Sequence, residues 1–335
     1  MSGIVIIGAG QAGSSLAIKL RTLGYEGAVT LIGEEPYAPY QRPPLSKTYL
    51  LGEMALERLY LRPQELYRDH NIELRLAAQV TAIDPVAGGV SLGHETLAYD
   101  QLALTTGSTP RLLPEAIGGG LKNVFAVRGL ADVDAMRPAF ERGGHVLIIG
   151  GGYIGLEAAA VAAKRGLKVT LVEMAERILQ RVACKETSNY FRDLHQSHGV
   201  TLLEGVGLSR LTGTDQVTGA ILSNGETLDI DFALVGVGQV ALTDIAGGGL
   251  RVFPRAHDTG LGFVEHEARQ VARRNAAGLF RGGRLGGRAE AGGLFLQCGD
   301  LRLVRSQGLL LLLAHLDPGG AVVEQGGHNT ALPQD

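Results

Sequence analysis

"HVLIIGGGYIGLEAA", residues 145–159, decides how this chain is read. A run of β-branched residues and leucine meets glycines at 150, 152 and 155, and an alanine-rich segment follows. That order is a buried strand, a tight turn and a helix whose first N–H groups face outward. The stretch lies mid-chain, yet the N-terminus carries a second one, "GIVIIGAGQAGSSLA", residues 3–17.

The match between the two extends well past the glycines. "AVTLIGEE" (28–35) answers "KVTLVEMAE" (168–176), and "ETLAYDQLALTTG" (95–107) answers "ETLDIDFALVGVG" (226–238). Residues 3–107 and 145–238 therefore read as two copies of one unit. The expected order in each copy is strand, glycine turn, helix, strand ending in an acid, further helix, three short strands and a final glycine. Helices are expected over 11–23 and 153–165, and β-meanders over 79–106 and 200–236. Residues 108–144, opening with "TPRLLP", are expected to be a linker.

Gly8, Gly10 and Gly13 have the spacing of a Rossmann dinucleotide turn, and Gly150, Gly152 and Gly155 repeat it. The first glycine permits the turn, the second admits a pyrophosphate to the backbone, and the third lets helix pack on strand. Anionic phosphate is then held by the helix N-terminus. Glu34 and Glu173 end the next strand of each copy, where a carboxylate can accept hydrogen bonds from ribose hydroxyls and repels a 2′-phosphate, favouring NADH. A single glycine turn can arise for packing alone; two copies in full context imply two dinucleotides bound together. The chemistry that needs both is electron transfer between nicotinamide and flavin.

Bulk properties agree. A 335-residue chain with net charge −3 has room for two cores and gives no reason to expect nucleic acid or an anionic membrane as partner. Cys184 and Cys298 are too few for a disulfide framework or a zinc site, so no metal is expected and a reducing cytoplasm fits. "GLLLLLAHL" (308–316) is too short to span a bilayer.

"VIIGAGQAG", "PYQRPPLSK", "YDQLALTTGSTPR", "VLIIGGGYIGLE" and "ALVGVG" make residues 3 to about 240 resemble the FAD-dependent pyridine-nucleotide reductases. Within them, the resemblance is to the putidaredoxin-reductase-like ferredoxin reductases that serve oxygenases. It implies an α/β fold of two Rossmann-like three-layer (ββα) domains, with the NAD domain inserted in the FAD domain. The FAD domain opens at 1–110 and the NAD domain takes 111–240. The implied activity passes electrons from NADH through FAD to a ferredoxin-type iron–sulfur protein. No cysteine precedes Cys184, so the cysteine pair of the disulfide-reductase branch is missing.

Site residues follow from the same resemblance. Lys47 is placed beside the flavin ring, where an ammonium could stabilise a reduced flavin. Gly8, Gly10, Ala12, Gly13, Glu34, Arg42, Val80, Thr106, Gly107 and Arg128 join it around FAD, with Val80 starting a meander strand past the adenine. Gly150, Gly152, Tyr153, Ile154, Gly155, Glu173, Gly236 and Gly238 are placed around NAD. Glu157 is placed at the nicotinamide–flavin junction, with a helix N-terminal acid as the plainer alternative.

After "VGVGQV" the pattern calls for a glycine–aspartate pair that holds the flavin ribityl chain, then a further domain. Gly299 and Asp300 come later in the chain than the pattern places that pair. From residue 246 isoleucine, lysine, tyrosine and methionine vanish, while "RGGRLGGRAEAGG" is typical. Residues 241–335 are therefore expected to be a degenerate or disordered remnant, with the composition of a high-GC gene read in another frame. Two other readings stay open here: a nucleotide-binding remnant without turnover, and an NADH oxidase or rubredoxin reductase of similar build.

Overall fold

A computed structural model describes residues 3–242 and the strands at 252–254, 262–264, 296–298, 301–306 and 309–314. The expectation for 241–335 falls mostly outside these residues, as do Gly299 and Asp300.

The first copy runs β1 (Gly3–Ile7), α1 (Gln11–Thr22), β2 (Val29–Ile32), α2 (Gln64–Asp69), β3 (Ile72–Arg75), β4 (Ala82–Asp84), β5 (Gly89–Leu92) and β6 (Glu95–Leu104). Then come β7 (Ser108–Pro110), β8 (Val124–Ala126) and α3 (Leu130–Arg142). The second copy holds β9 (His145–Ile149), α4 (Tyr153–Lys164), β10 (Lys168–Glu173), α5 (Lys185–Ser197) and β11 (Val200–Glu204). It closes with β12 (Leu208–Gly213), β13 (Val217–Leu222), β14 (Thr227–Asp229), β15 (Phe232–Val235) and β16 (Gln239–Ala241).

The parallel strands order β6-β1-β2-β3 in one sheet and β8-β15-β9-β10-β11 in the other. Alternation along the central strands makes each unit three layers deep. Ile4 and Ile6 face a helix-side core with Leu16 and Leu20, whereas Val5 and Ile7 face the meander-side core with Ile83 and Val90. In the second unit Val146 and Ile148 point to the helices, and Leu147 and Ile149 to the meander. Continuous apolar runs are what such doubly covered strands need.

Two expectations are corrected. Residues 108–144 are not merely a linker: β8 is an edge strand beside β15, and α3 buries Leu130, Val133, Met136, Ala139 and Phe140. Val200–Glu204 is not part of a meander but runs parallel to β10, as β3 runs beside β2. The meanders are β4-β5-β6 and β12-β13-β14. The copies also differ in how their last long strand is built. β6 pairs with β5 through Ala98 and then with β1 from Tyr99 onward, one strand serving two layers. Its counterpart is broken into β14 and β15 at Ile230 and Asp231.

Beyond residue 242, strands β17 (Val252–Pro254) and β18 (Gly262–Val264) pair with each other. Strands β19 (Leu296–Cys298), β20 (Leu301–Ser306) and β21 (Leu309–Ala314) extend the first sheet past β6, with β21 parallel to it.

Candidate functional site

The glycines of the first turn divide by what faces them. Gly8 has φ +111°, and a Cβ there would strike the Thr105 carbonyl; a Cβ on Gly13 would strike the Gly8 carbonyl oxygen. Both are needed for packing. Gly10 has no heavy atom within 4 Å of where its Cβ would point, so open space lies before the α1 N-terminus. The hydroxyl of buried Thr105 fastens the turn, donating toward the carbonyls of Ile7 (3.0 Å) and Gly8 (2.8 Å).

Arg128 lies against Gly107, two residues beyond the threonine that holds the turn. A Cβ on Gly107, at φ +72°, would come within 2.9 Å of Arg128 Nη2. Arg128 makes no ion pair among the described residues, since the carboxylates near it are committed elsewhere. Glu35 pairs with Arg42 at 2.6 Å and accepts from Tyr40, and Asp132 accepts the N–H groups of Arg128 and Gly129. Burial, and then the charge of Arg42, hold the Arg128 pKa below its ordinary value. A half-buried cation short of an anion, at the strand end that also fastens the first glycine turn, suits an anionic group such as the pyrophosphate of FAD.

The second turn repeats this division. A Cβ on Gly150 or Gly155 would meet the carbonyl oxygens of Gly236 and Gly150, while Gly152 faces open space. Here no threonine holds the turn, because Gly236 occupies the place of Thr105. Glu173 does so instead, accepting from Gly151 N and Ala175 N, both at 2.7 Å. Gly151 carries no side chain, which leaves room for Glu173 and Ile178. In the first copy Ala9 fills that room against Gly33.

The acids are thus not equivalent, which corrects the pairing of Glu34 with Glu173. Strand register aligns Val29–Ile32 with Val169–Val172, so Glu173 answers Gly33, and exposed Glu34 answers Met174. Val80 precedes β4 instead of starting a strand and packs against the meander core.

The motif "RPPLSK" (42–47) runs into a short helical segment, Leu45–Tyr49, that is kinked at Lys47 (φ −129°, ψ −110°) and lies on α4. Glu157, on the second turn of α4, is gripped at both oxygens: Lys47 Nζ at 2.7 Å and Ser46 Oγ at 2.6 Å. Lys47 also donates to the Pro43 carbonyl at 3.1 Å. Lys47 therefore stands as half of a neutral pair and not as a lone cation, and Glu157 has partners beyond the helix dipole. Further contacts join the same surfaces: Lys164 to Glu53 at 2.8 Å, Arg165 to the Leu51 carbonyl at 2.8 Å, and Tyr49 to Asp134 at 3.0 Å.

The remaining expected residues surround these two turns. Ala12 is half-buried in α1; Tyr153 is exposed at the start of α4, and Ile154 packs inward. Thr106, Gly107, Gly236 and Gly238 lie where β6 and β15 end, and Thr106 donates to the Leu242 carbonyl at 2.8 Å. Ser46, Glu35 and Thr105, which hold Glu157, Arg42 and the first turn, are positions that sequence reading missed. Ser46 and Thr105 carried a signal, since each lies inside a motif read for its neighbours, Arg42 and Lys47 in one and Thr106 and Gly107 in the other. No group of three or more potential metal ligands occurs among the described residues, and none of their helices is long and apolar enough to cross a membrane.

Comparison with known proteins points the same way. A family model described as pyridine nucleotide-disulphide oxidoreductase matches residues 2–257. The chain is 41% identical over 242 residues to the ferredoxin reductase subunit of a 5,5'-dehydrodivanillate O-demethylase from Sphingobium sp., covering 71% of this chain and 58% of that one. It is 38% identical over 270 residues to putidaredoxin reductase of Pseudomonas putida, covering 78% and 63%. A solved covalent complex of putidaredoxin reductase with putidaredoxin superposes with a TM-score of 0.70 at 36% identity, covering 73% of this chain and 60% of that one. The chain spans 58–63% of the length of these two curated relatives.

Proposed function

The chain belongs to the pyridine nucleotide-disulphide oxidoreductase family, and from that premise we propose that it carries electrons from NADH through FAD to a small ferredoxin-type iron–sulfur protein. The unit boundaries near residues 110 and 240 and a reducing cytoplasmic setting belong to the same proposal. The observation that supports it is the grip of Ser46 and Lys47 on Glu157, which ties a segment of the first unit to the helix that opens at the second glycine turn.

FAD would be held by the turn at Gly8, Gly10, Ala12 and Gly13, with Glu34, Arg42, Val80, Thr106, Gly107 and Arg128 around it. NADH would lie over Gly150, Gly152, Tyr153, Ile154 and Gly155, its ribose at Glu173 and its ring by Gly236 and Gly238. Bound there, FAD supplies chemistry that no side chain offers, taking an electron pair as hydride and releasing the electrons singly. The protein's own share is position and electrostatics. Lys47 presents an ammonium proton to the junction, Glu157 balances its charge, and Ser46 fixes the carboxylate that aims it. None of the three needs to gain or lose a proton.

The test is to supply FAD and NADH and follow reduction of an oxidised ferredoxin, with rubredoxin and dioxygen as rival acceptors. Ferredoxin reduced far faster than either is the expected result; dioxygen preferred would assign an oxidase, and no transfer to any acceptor a remnant.

A further inference from the structure

The segment that follows Glu173 is fastened by a side chain that the proposed function does not use. Glu204 ends β11, beside Glu173 at the end of β10, and its side chain is only 17% exposed. One carboxylate oxygen accepts the N–H of Ile178 at 2.8 Å, and the other accepts Arg192 Nε at 2.8 Å. Arg192 is itself braced by Asn189 at 2.8 Å. The next residue, buried Leu179 at φ +53°, donates its N–H to the Gly151 carbonyl at 3.0 Å. Gly151 in turn gives its own N–H to Glu173.

A closed circuit thus runs from Glu204 through Ile178 and Leu179 to the second glycine turn, and back through Glu173. Fully buried Ser188 tightens it from α5, donating to the Ile178 carbonyl at 2.7 Å and accepting Arg177 Nη1 at 2.5 Å. The first copy has no such circuit, its turn being held by Thr105 from the sheet. The second turn is therefore held through a loop, and the loop by a carboxylate.

We propose that Glu204 is a positioning residue for the adenosine half of the nicotinamide dinucleotide: it holds the 174–184 loop against the phosphate turn and keeps Glu173 aimed. This rests on the reading of the second turn as the NADH site. Removing the carboxylate strands a backbone donor and an arginine, losses to a charged acceptor that correspond to about tenfold in affinity.

The experiment measures ADP-ribose affinity by titration calorimetry for the unaltered full chain and for Glu204→Ala, Glu204→Gln and Arg192→Ala, with FAD affinity and Tm alongside. Glu204→Ala should bind ADP-ribose about tenfold more weakly with FAD affinity unchanged, and Glu204→Gln, which keeps an acceptor for Ile178 N–H, should recover most of the loss. Should Glu204→Ala not fold, Arg192→Ala carries the same test with a smaller weakening, about threefold. Equal ADP-ribose affinity in the unaltered chain and a folded carboxylate or arginine variant overturns this inference alone, as does a lowered Tm without a change in affinity. Failure of the unaltered chain to bind ADP-ribose overturns the NADH site and this inference with it.

Discussion

Arg128 costs the folded chain more than its neighbours return until an anion arrives. A guanidinium taken partly out of water without a partner carboxylate is unfavourable, and Arg42 nearby adds repulsion. Arg128→Met should therefore leave Tm unchanged or raise it, while FAD affinity measured by equilibrium dialysis falls roughly ten- to hundredfold. Lys47 is the reverse case. Its pair with Glu157 is half exposed, so Lys47→Met should cost less than about 1 kcal/mol of stability. Reduction of the bound flavin by NADH, followed by rapid mixing, should slow by roughly a hundredfold, because the donor at the junction is lost. His145 belongs to stability alone. It is buried in β9 between the Asp229 carbonyl and the Thr170 hydroxyl, with Lys168 and Asp231 nearby. Burial lowers its pKa from the ordinary 6.5, so the unfolded chain holds the proton more readily. Its contribution is full above about pH 6.5 and is lost as pH falls toward the folded-state value. His195 shifts the same way. Tm should thus fall as pH drops below about 6.5, and His145→Asn should flatten part of that slope.

Among elements, the glycine turns make the sharpest claim. Gly10 has φ −94° and open space before it, whereas Gly13 abuts the Gly8 carbonyl. Gly10→Val should accordingly fold with Tm close to the unaltered chain and lose FAD binding, whereas Gly13→Val should lose stability by more than about 2 kcal/mol through overpacking. Thermal melts with and without FAD separate the two outcomes. These turns, α1, α4 and the central strands were legible because their signal is local: aliphatic runs, glycine spacing and alanine-rich helices. What stayed hidden depends on partners far along the chain. Val124–Ala126 is too short to announce a strand and becomes one only against β15. Val200–Glu204 alternates like a meander strand yet pairs with β10. Glu34 and Glu173 look alike after similar strands, and only the register shows them one residue apart. Ser46 and Glu204 act through partners 111 and 26 residues away, a separation no spacing rule reveals.

For the molecule as a whole, the proposed function has duplication supply two seats, and the 45–53 segment is the contact that joins the two units. Its apolar residues Leu45, Tyr49 and Leu50 join the helix-side core of the second unit, so the first unit reaches into its twin through packing as well as charge. The fold class follows from the repeat; the junction does not, because neither copy contains it alone. The central claim is that both seats are filled together and face each other. An anaerobic titration tests it most directly: the full chain is loaded with FAD, freed of excess, and its visible flavin absorption followed as NADH is added. The account predicts one flavin retained per chain and its band bleached by one equivalent of NADH. A chain that holds no flavin, or one whose flavin stays oxidised while NADH is bound, would contradict it.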